Sequence, residues 1–214
     1  MKKIQIPEWV PLFPLPNVVF FPKTYLPLHV FEPRYREMVQ DTMEGDRIIG
    51  MALLKEGWEI DYDRNPPIHS IGSIGEIVRS QRQDDGRYNI LLYGLKKYRV
   101  REENFLRSYR QARIEIIEES EINVLPAAIK ERLVEQMIRY RRKMPGGDAL
   151  ESILEMGLDD DVLVATLSAG LPLTILEKQF LLESEDLHQR ARRLVELMEM
   201  GFQTIEQAGG QMED

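Results

Sequence analysis

Side chains able to do acid–base, nucleophilic or metal chemistry are few in these 214 residues and badly spaced for it. His29, His69 and His188 fall far apart, without the close spacing of a metal site. There is no cysteine, which removes thiol nucleophiles, disulfides and cysteine metal sites together. No G-x-x-x-x-G-K-[ST] phosphate loop occurs. The nearest glycine-rich pieces, Gly72-Ser73-Ile74-Gly75 and Gly146-Gly147, lack the lysine and read as turns. G-x-S-x-G and H-E-x-x-H are absent as well. His29 invites a general-base reading, but a base needs an orienting partner and the sequence names none. A hydrogen-bonded structural histidine is the better reading, and no cofactor or metal is expected.

Some polar and soft strings suggest binding instead. In Glu32-Pro33-Arg34-Tyr35-Arg36, Arg34 suits a clamp for a carboxylate or phosphate. The plainer reading places Glu32 near a helix N-terminus and makes Arg34 a tie between helix and barrel. Residues 79–113 hold ten basic and four acidic residues, a local +6, with Lys97, Arg99 and Arg101 on one strand face. Such a face fits RNA, but a solvated outer sheet face is preferred. The acidic helical half repels phosphate, and stacking aromatics are not clearly interleaved with the charges. The run Arg139 to Lys143 suits a helix C-terminus. Of ten methionines, those at 137, 144, 156, 198 and 200 recur at helical spacing, which reads first as core and second as an adaptable surface.

These residues hang on a chain that changes character near Ser120. Pro11, Pro14, Pro16, Pro22 and Pro27 forbid a helix, so the apolar residues between them form short, irregular strands at edges, starts or bulges. Tyr25 to Phe31 alternates, with Leu26, Leu28 and Val30 on one face. Pro33 then opens a helix that Gly45 stops. Arg47–Leu54 is apolar on both faces. Asp85-Gly86 joins Ile74–Gln83 to Arg87–Gly94 as a hairpin, with Tyr88, Ile90 and Leu92 inward and Leu91 and Tyr93 on the other face. Tyr98 and Val100 alternate with the basic residues, and Ala112, Ile114 and Ile116 close the pattern. Short strands with one helix predict a mostly antiparallel sheet curled into a small barrel.

After Ser120 helices are predicted. The first opens at Pro126 and is apolar at Ile129, Leu133, Val134, Met137 and Ile138, ending near Met144-Pro145-Gly146-Gly147. Asp148–Met156 and Asp159–Ala169 follow. A capping box at Thr174–Glu177 begins the fourth. Ser184 caps the last, with Leu187, Ala191, Leu194 and Met198 inward and Gly201 at its end.

The strings PLFPLPNVV and LPLHVFEPRYREMV, between Pro11 and Val39, resemble the amino-terminal, substrate-binding domain of Lon proteases. The chain looks closest to short proteins carrying that domain alone. The likeness continues more loosely through Arg47–Leu54, Gly72–Val78 and Asp85–Arg99, and resumes at Leu171–Ser184 and Leu187–Met200. One departure is Lys23, where the resemblance implies a glycine after the Phe-Pro pair. The resemblance implies a PUA-like pseudobarrel and a role in binding polypeptides. Without the ATPase and peptidase parts, it carries over binding and not hydrolysis.

Charge supports the division. Residues 1–118 hold 18 Lys+Arg and 17 Asp+Glu, a balance of +1, and residues 119–214 hold 10 and 19, a balance of −9, giving the total of −8. The expected fold is α+β: a PUA-like pseudo-β-barrel with one helix over 1–118, an α-helical bundle over 119–208 and a flexible tail over 209–214. No apolar run approaches the ~20 residues of a membrane span, and no signal sequence is legible, so a cytoplasmic protein is expected. The expected function is non-catalytic binding of unfolded or extended polypeptides, as an adaptor to a protease or chaperone or alone. An RNA-binding PUA-like protein is the alternative. The expected landing site is Leu91 and Tyr93 beside the basic strand, with Trp58 on a nearby loop as a third member.

Overall fold

The computed structural model describes residues 6–62, 64–119, 123–143 and 148–210, the side chains at 61, 141–143, 148, 149, 151, 154 and 202–210 excepted. Ser120, the Met144–Gly147 turn and residues 211–214 of the expected tail lie outside them. The chain divides into two compact units, Met1–Glu118 and Glu119–Asp214.

The first unit is a six-stranded sheet: β1 Trp9–Leu15, β2 Tyr25–Val30, β3 Ile48–Leu53, β4 Ile71–Arg82, β5 Tyr88–Asn104 and β6 Gln111–Ile117, with α1 Pro33–Glu44 between β2 and β3. The order is β2-β5-β4-β3-β1-β6, and β6 returns to pair with β5. Five strands therefore close a barrel, and β2 is added outside it. All pairings are antiparallel except β1 with β3.

Two prolines sit inside β1, which is flanked on both sides. Trp9–Pro11 pairs with β6, whereas Leu12–Leu15 pairs with β3. Each half has one ladder partner, so each proline's missing N–H is tolerated much as at an edge.

Val10 and Leu12, Ile48 and Ala52, Ile74, Tyr98 and Ala112 come from all five barrel strands and form one buried cluster. Phe13, Ile49, Met51, Ile77, Ile90 and Leu92 form a second with Tyr35, Met38 and Val39 of α1. All six residues of β3 are buried because its two faces serve the two clusters. Burying each such Leu, Ile or Phe contributes about 1.5–3 kcal/mol.

β5 passes from one cluster to the other by a bulge. Gly75 pairs with Gly94 and Ile74 with Lys96, which leaves Leu95 without a partner. One extra residue reverses the side-chain alternation. Leu92 thus faces α1, while Tyr98, six residues on, faces the barrel interior. There its hydroxyl donates to the Met51 carbonyl at 2.9 Å. The bulge also overturns the expected Lys97–Arg99–Arg101 face. Arg99 and Arg101 are exposed, but Lys97 is buried opposite Ser73.

The second unit holds α2 Ala127–Lys143, α3 Asp148–Glu155, α4 Asp160–Gly170, α5 Ile175–Leu182 and α6 Leu187–Gly210. α6 packs on α2, α4 and α5. Its Leu187, Ala191, Leu194 and Met198 are buried, and the Thr174–Glu177 capping box is formed. Three expectations are corrected. Ile138 is exposed and Gln136 takes the buried position, because Leu133 and Met137 set the inward stripe. Asp186, not Ser184, caps α6 by accepting from Gln189 N at 2.7 Å, and Ser184 is buried. Gly201 does not end α6, which runs through 209 to Gly210; one interior glycine costs only about 1 kcal/mol relative to alanine.

Candidate polypeptide-binding surface

β2 alternates as its sequence dictates. Leu26, Leu28 and Val30 lie opposite Leu92, Ile90 and Tyr88 and belong to the α1 cluster. Tyr25, Pro27 and His29 point the other way, opposite Tyr93, Leu91 and Asn89. The Tyr25 and Tyr93 rings lie 5.0 Å apart between centroids. Leu91 and Tyr93 are half-buried, so they are neither open to water nor sealed in a core. The exposed large apolar side chains on and next to β2 and β4 are Tyr25 at 64%, Phe31 at 58% and Val78 at 44%. Val78 stands out because the β4 register shifts between Ile77 and Arg79. Beside this face runs the outer edge of β2, which pairs with β5 on one side and with no strand among the described residues on the other.

The other flagged residues fall elsewhere. Trp58 lies in a 3-10 turn, Trp58–Asp61, and packs on the barrel-interior cluster, with its ring 5.4 Å from that of Tyr62. His29 Nδ1 lies 2.7 Å from Asn89 Oδ1 across the strand pair, a structural hydrogen bond with no carboxylate behind it. Arg34 reaches Glu32 Oε2 with Nε at 3.1 Å and Nη2 at 2.9 Å. Its guanidinium lies over the rings of Tyr35 and Tyr62, and the Tyr62 hydroxyl donates to Glu32 Oε1 at 2.6 Å. Arg34 therefore ties the start of α1 to the loop after β3. Burial pushes the Tyr35 hydroxyl up to about 12, with Arg34 opposing it.

The basic stretch is largely neutralised. Lys96 pairs with Glu118, Arg101 with Glu115, Arg113 with Glu102 and Arg110 with Glu103. Among the described residues no group of three or more His, Cys, Asp or Glu is placed to hold a metal, and no helix is long and apolar enough to cross a membrane.

The sequence pattern does not single out Tyr25, Phe31 or Val78. The alternation of Tyr25–Phe31 already put Phe31 on the face away from Leu26. What was missing was the pairing that sets this face beside Leu91 and Tyr93.

Lon protease 2 of Myxococcus xanthus is 28% identical over 206 residues, covering 92% of this chain and 24% of that protein. The Lon protease of Dictyoglomus thermophilum is 30% identical over 204 residues, 94% of this chain and 25% of that protein. The chain thus spans about a quarter of the length of these relatives. The fold is that of a Lon N-terminal domain protein from Xanthomonas campestris, with TM-score 0.66, 22% identity and coverage of 87% of this chain and 96% of that one. The N-terminal domain of the Mycobacterium avium complex Lon protease matches with TM-score 0.67 and 19% identity, over 89% of this chain and 98% of that one. The ATP-dependent protease La (LON) substrate-binding domain family matches residues 9–200. That match spans most of the chain and makes it a member of the LON substrate-binding domain family.

Proposed function

We propose that the chain is a non-catalytic, cytoplasmic recognition module that binds extended polypeptides on the outward face of β2 and β5, and that it presents them to a protease or chaperone. One observation carries this reading. Exposed Tyr25 packs on Tyr93 and Pro27 lies opposite Leu91 across the β2–β5 pair, with exposed Phe31 just past the end of β2, beside a β2 edge that no described strand pairs. An extended chain can add to such an edge through its backbone while alternate side chains rest on the apolar face. Membership of a substrate-binding family supports a polypeptide as the occupant. The RNA reading is disfavoured by the cross-strand pairs, which leave few free cations to contact phosphates. Trp58, against the barrel-interior cluster, is not part of the proposed face.

The test is calorimetric titration with an uncharged peptide rich in Val, Tyr and Thr, blocked at both ends. Tyr25→Ser with Phe31→Ser changes exposed residues, so the melting temperature holds while affinity falls about tenfold or more. Unchanged affinity overturns the assignment of this face.

A further inference from the structure

A second feature of the first unit lies apart from the β2–β5 face. A cavity of about 260 Å³ lies between the start of α1, the loop after β3 and the segment leading into β6. Arg34, Arg64, Arg107 and Arg110 line it, from three stretches of chain, and no Asp or Glu is among its described lining residues. The carboxylates that pair with three of these arginines are not among the described lining residues. Glu32 takes Arg34, Asp41 takes Arg107 and Glu103 takes Arg110. Tyrosines occupy these carboxylates further, with Tyr62 donating to Glu32 at 2.6 Å and Tyr109 to Asp41 at 2.8 Å. Arg64 makes no ion pair among the described residues and is exposed.

Arg110 is the most constrained of the four. It is 6% exposed, donates to the Pro66 carbonyl at 2.7 Å and lies 3.1 Å from Glu103. A guanidinium carries five N–H donors, so these contacts leave it under-used. Burial holds its pKa below the usual guanidinium value, with Glu103 opposing that shift. A buried cation with spare donors is stabilised by an incoming anion.

Charge and size select the anion. Among the described residues, four arginines against three carboxylates leave one net positive charge, which matches a single carboxylate better than a doubly charged phosphate. The volume falls below the ~300–1,000 Å³ typical of small-molecule and cofactor sites. Tyr35, Tyr62 and Tyr109 supply aromatic walls for the stem that bears the charge.

We propose that this cleft captures a carboxylate of a bound polypeptide, either the chain terminus or an acidic side chain, through Arg34, Arg64, Arg107 and Arg110. The proposal rests on the polypeptide reading above but concerns a different surface.

The experiment titrates three peptides of one shared Val/Tyr/Thr sequence. One has a free C-terminal carboxylate and no acidic residue, one is amidated with a single internal Glu, and one is amidated and uncharged. A carboxylate peptide is expected to bind about tenfold or more tighter than the uncharged one, the effect of a charged hydrogen bond. The arm that gains identifies the source of the carboxylate. Arg64→Ala, at an exposed unpaired residue, removes this gain without changing binding of the uncharged peptide, and Arg64→Lys restores part of it. Equal binding of all three peptides overturns the cleft and leaves the polypeptide reading intact. A gain that Arg64→Ala does not reduce also overturns it. Binding of none overturns both.

Discussion

Lys23 and Gly94 form a local test of how the structure works, because a lysine holds a left-handed turn against a strand position that only glycine fits. Lys23 has φ of 64°, in the left-handed region. Its N–H donates to the Gly94 carbonyl at 2.8 Å, and the Gly94 N–H donates to the Thr24 carbonyl at 2.9 Å. The turn from Phe21 to Thr24 is thereby clamped onto β5 next to the Leu95 bulge. A non-glycine residue in this conformation costs ~1–2 kcal/mol. Glycine would remove that strain but lose ~0.5–1 kcal/mol through greater freedom when unfolded. Lys23→Gly is therefore expected to stabilise the first unit by up to about 1 kcal/mol, or ~4 °C for a domain of this size. Gly94→Ala has the opposite sign. Its Cβ would stand 2.2 Å from the Phe21 carbonyl oxygen and 3.0 Å from Pro22 Cα, both backbone atoms. Phe21 is fully buried and cannot retreat, so the two clamp bonds break as well. The loss is at least about 2–3 kcal/mol, combining overpacking with two hydrogen bonds. Both tryptophans, Trp9 and Trp58, lie in this unit, so urea unfolding followed by tryptophan emission reads it alone. A Lys23→Gly variant less stable than the parent by more than ~1 kcal/mol refutes the strain argument. A Gly94→Ala variant of parental stability refutes the close approach.

Deleting Leu95 removes the unpaired residue yet leaves Tyr98 on the face opposite Leu92, so the first unit should still unfold cooperatively by tryptophan emission, at reduced stability because Leu95 packs on the barrel-interior cluster. Loss of a sharp transition in that variant would refute this count of faces. In the second unit, Asp160 accepts from Leu125 N at 2.8 Å and pairs with Lys130 at 2.7 Å. Burial raises its pKa, but Lys130 and the Leu125 N–H together outweigh burial and hold it below the usual carboxylate value. A depressed folded pKa stabilises above the ordinary Asp value of ~3.9 and ceases to do so as pH falls through the folded value. Asp160→Asn should lower the stability of the helical unit at neutral pH, with the gap closing below about pH 4 when helical circular dichroism is followed through denaturation. A gap that is constant with pH would remove the carboxylate from that role.

The sequence by itself determined the parts whose cause is local. Pro33 starts α1 because a missing N–H costs nothing at the first helical position. Asp85-Gly86 turns the β4–β5 hairpin, with Gly86 at φ of 81°, and Thr174 with Glu177 forms the capping box. The alternation in β2 and in Tyr88–Leu92 told which residues share a face. The position of Lys23 was also marked, since the resemblance implies a glycine where the backbone turns left-handed.

Tertiary structure decided what depends on partners distant in the chain. Side-chain alternation reports faces within one strand and cannot count an extra residue that only the neighbouring strand reveals. Hence Lys97, expected on a basic outer face, is buried, and what read as two pieces is one strand from Tyr88 to Asn104. Closure of the barrel sends Trp58 to the interior cluster, and the pairing of β2 with β5 sets Tyr25 opposite Tyr93 and Pro27 opposite Leu91. It also gathers Arg34, Arg64, Arg107 and Arg110 around one cleft. No spacing in the sequence encodes that convergence. It arises because the loop after β3 and the segment before β6 are both brought against the start of α1 when the sheet closes on itself.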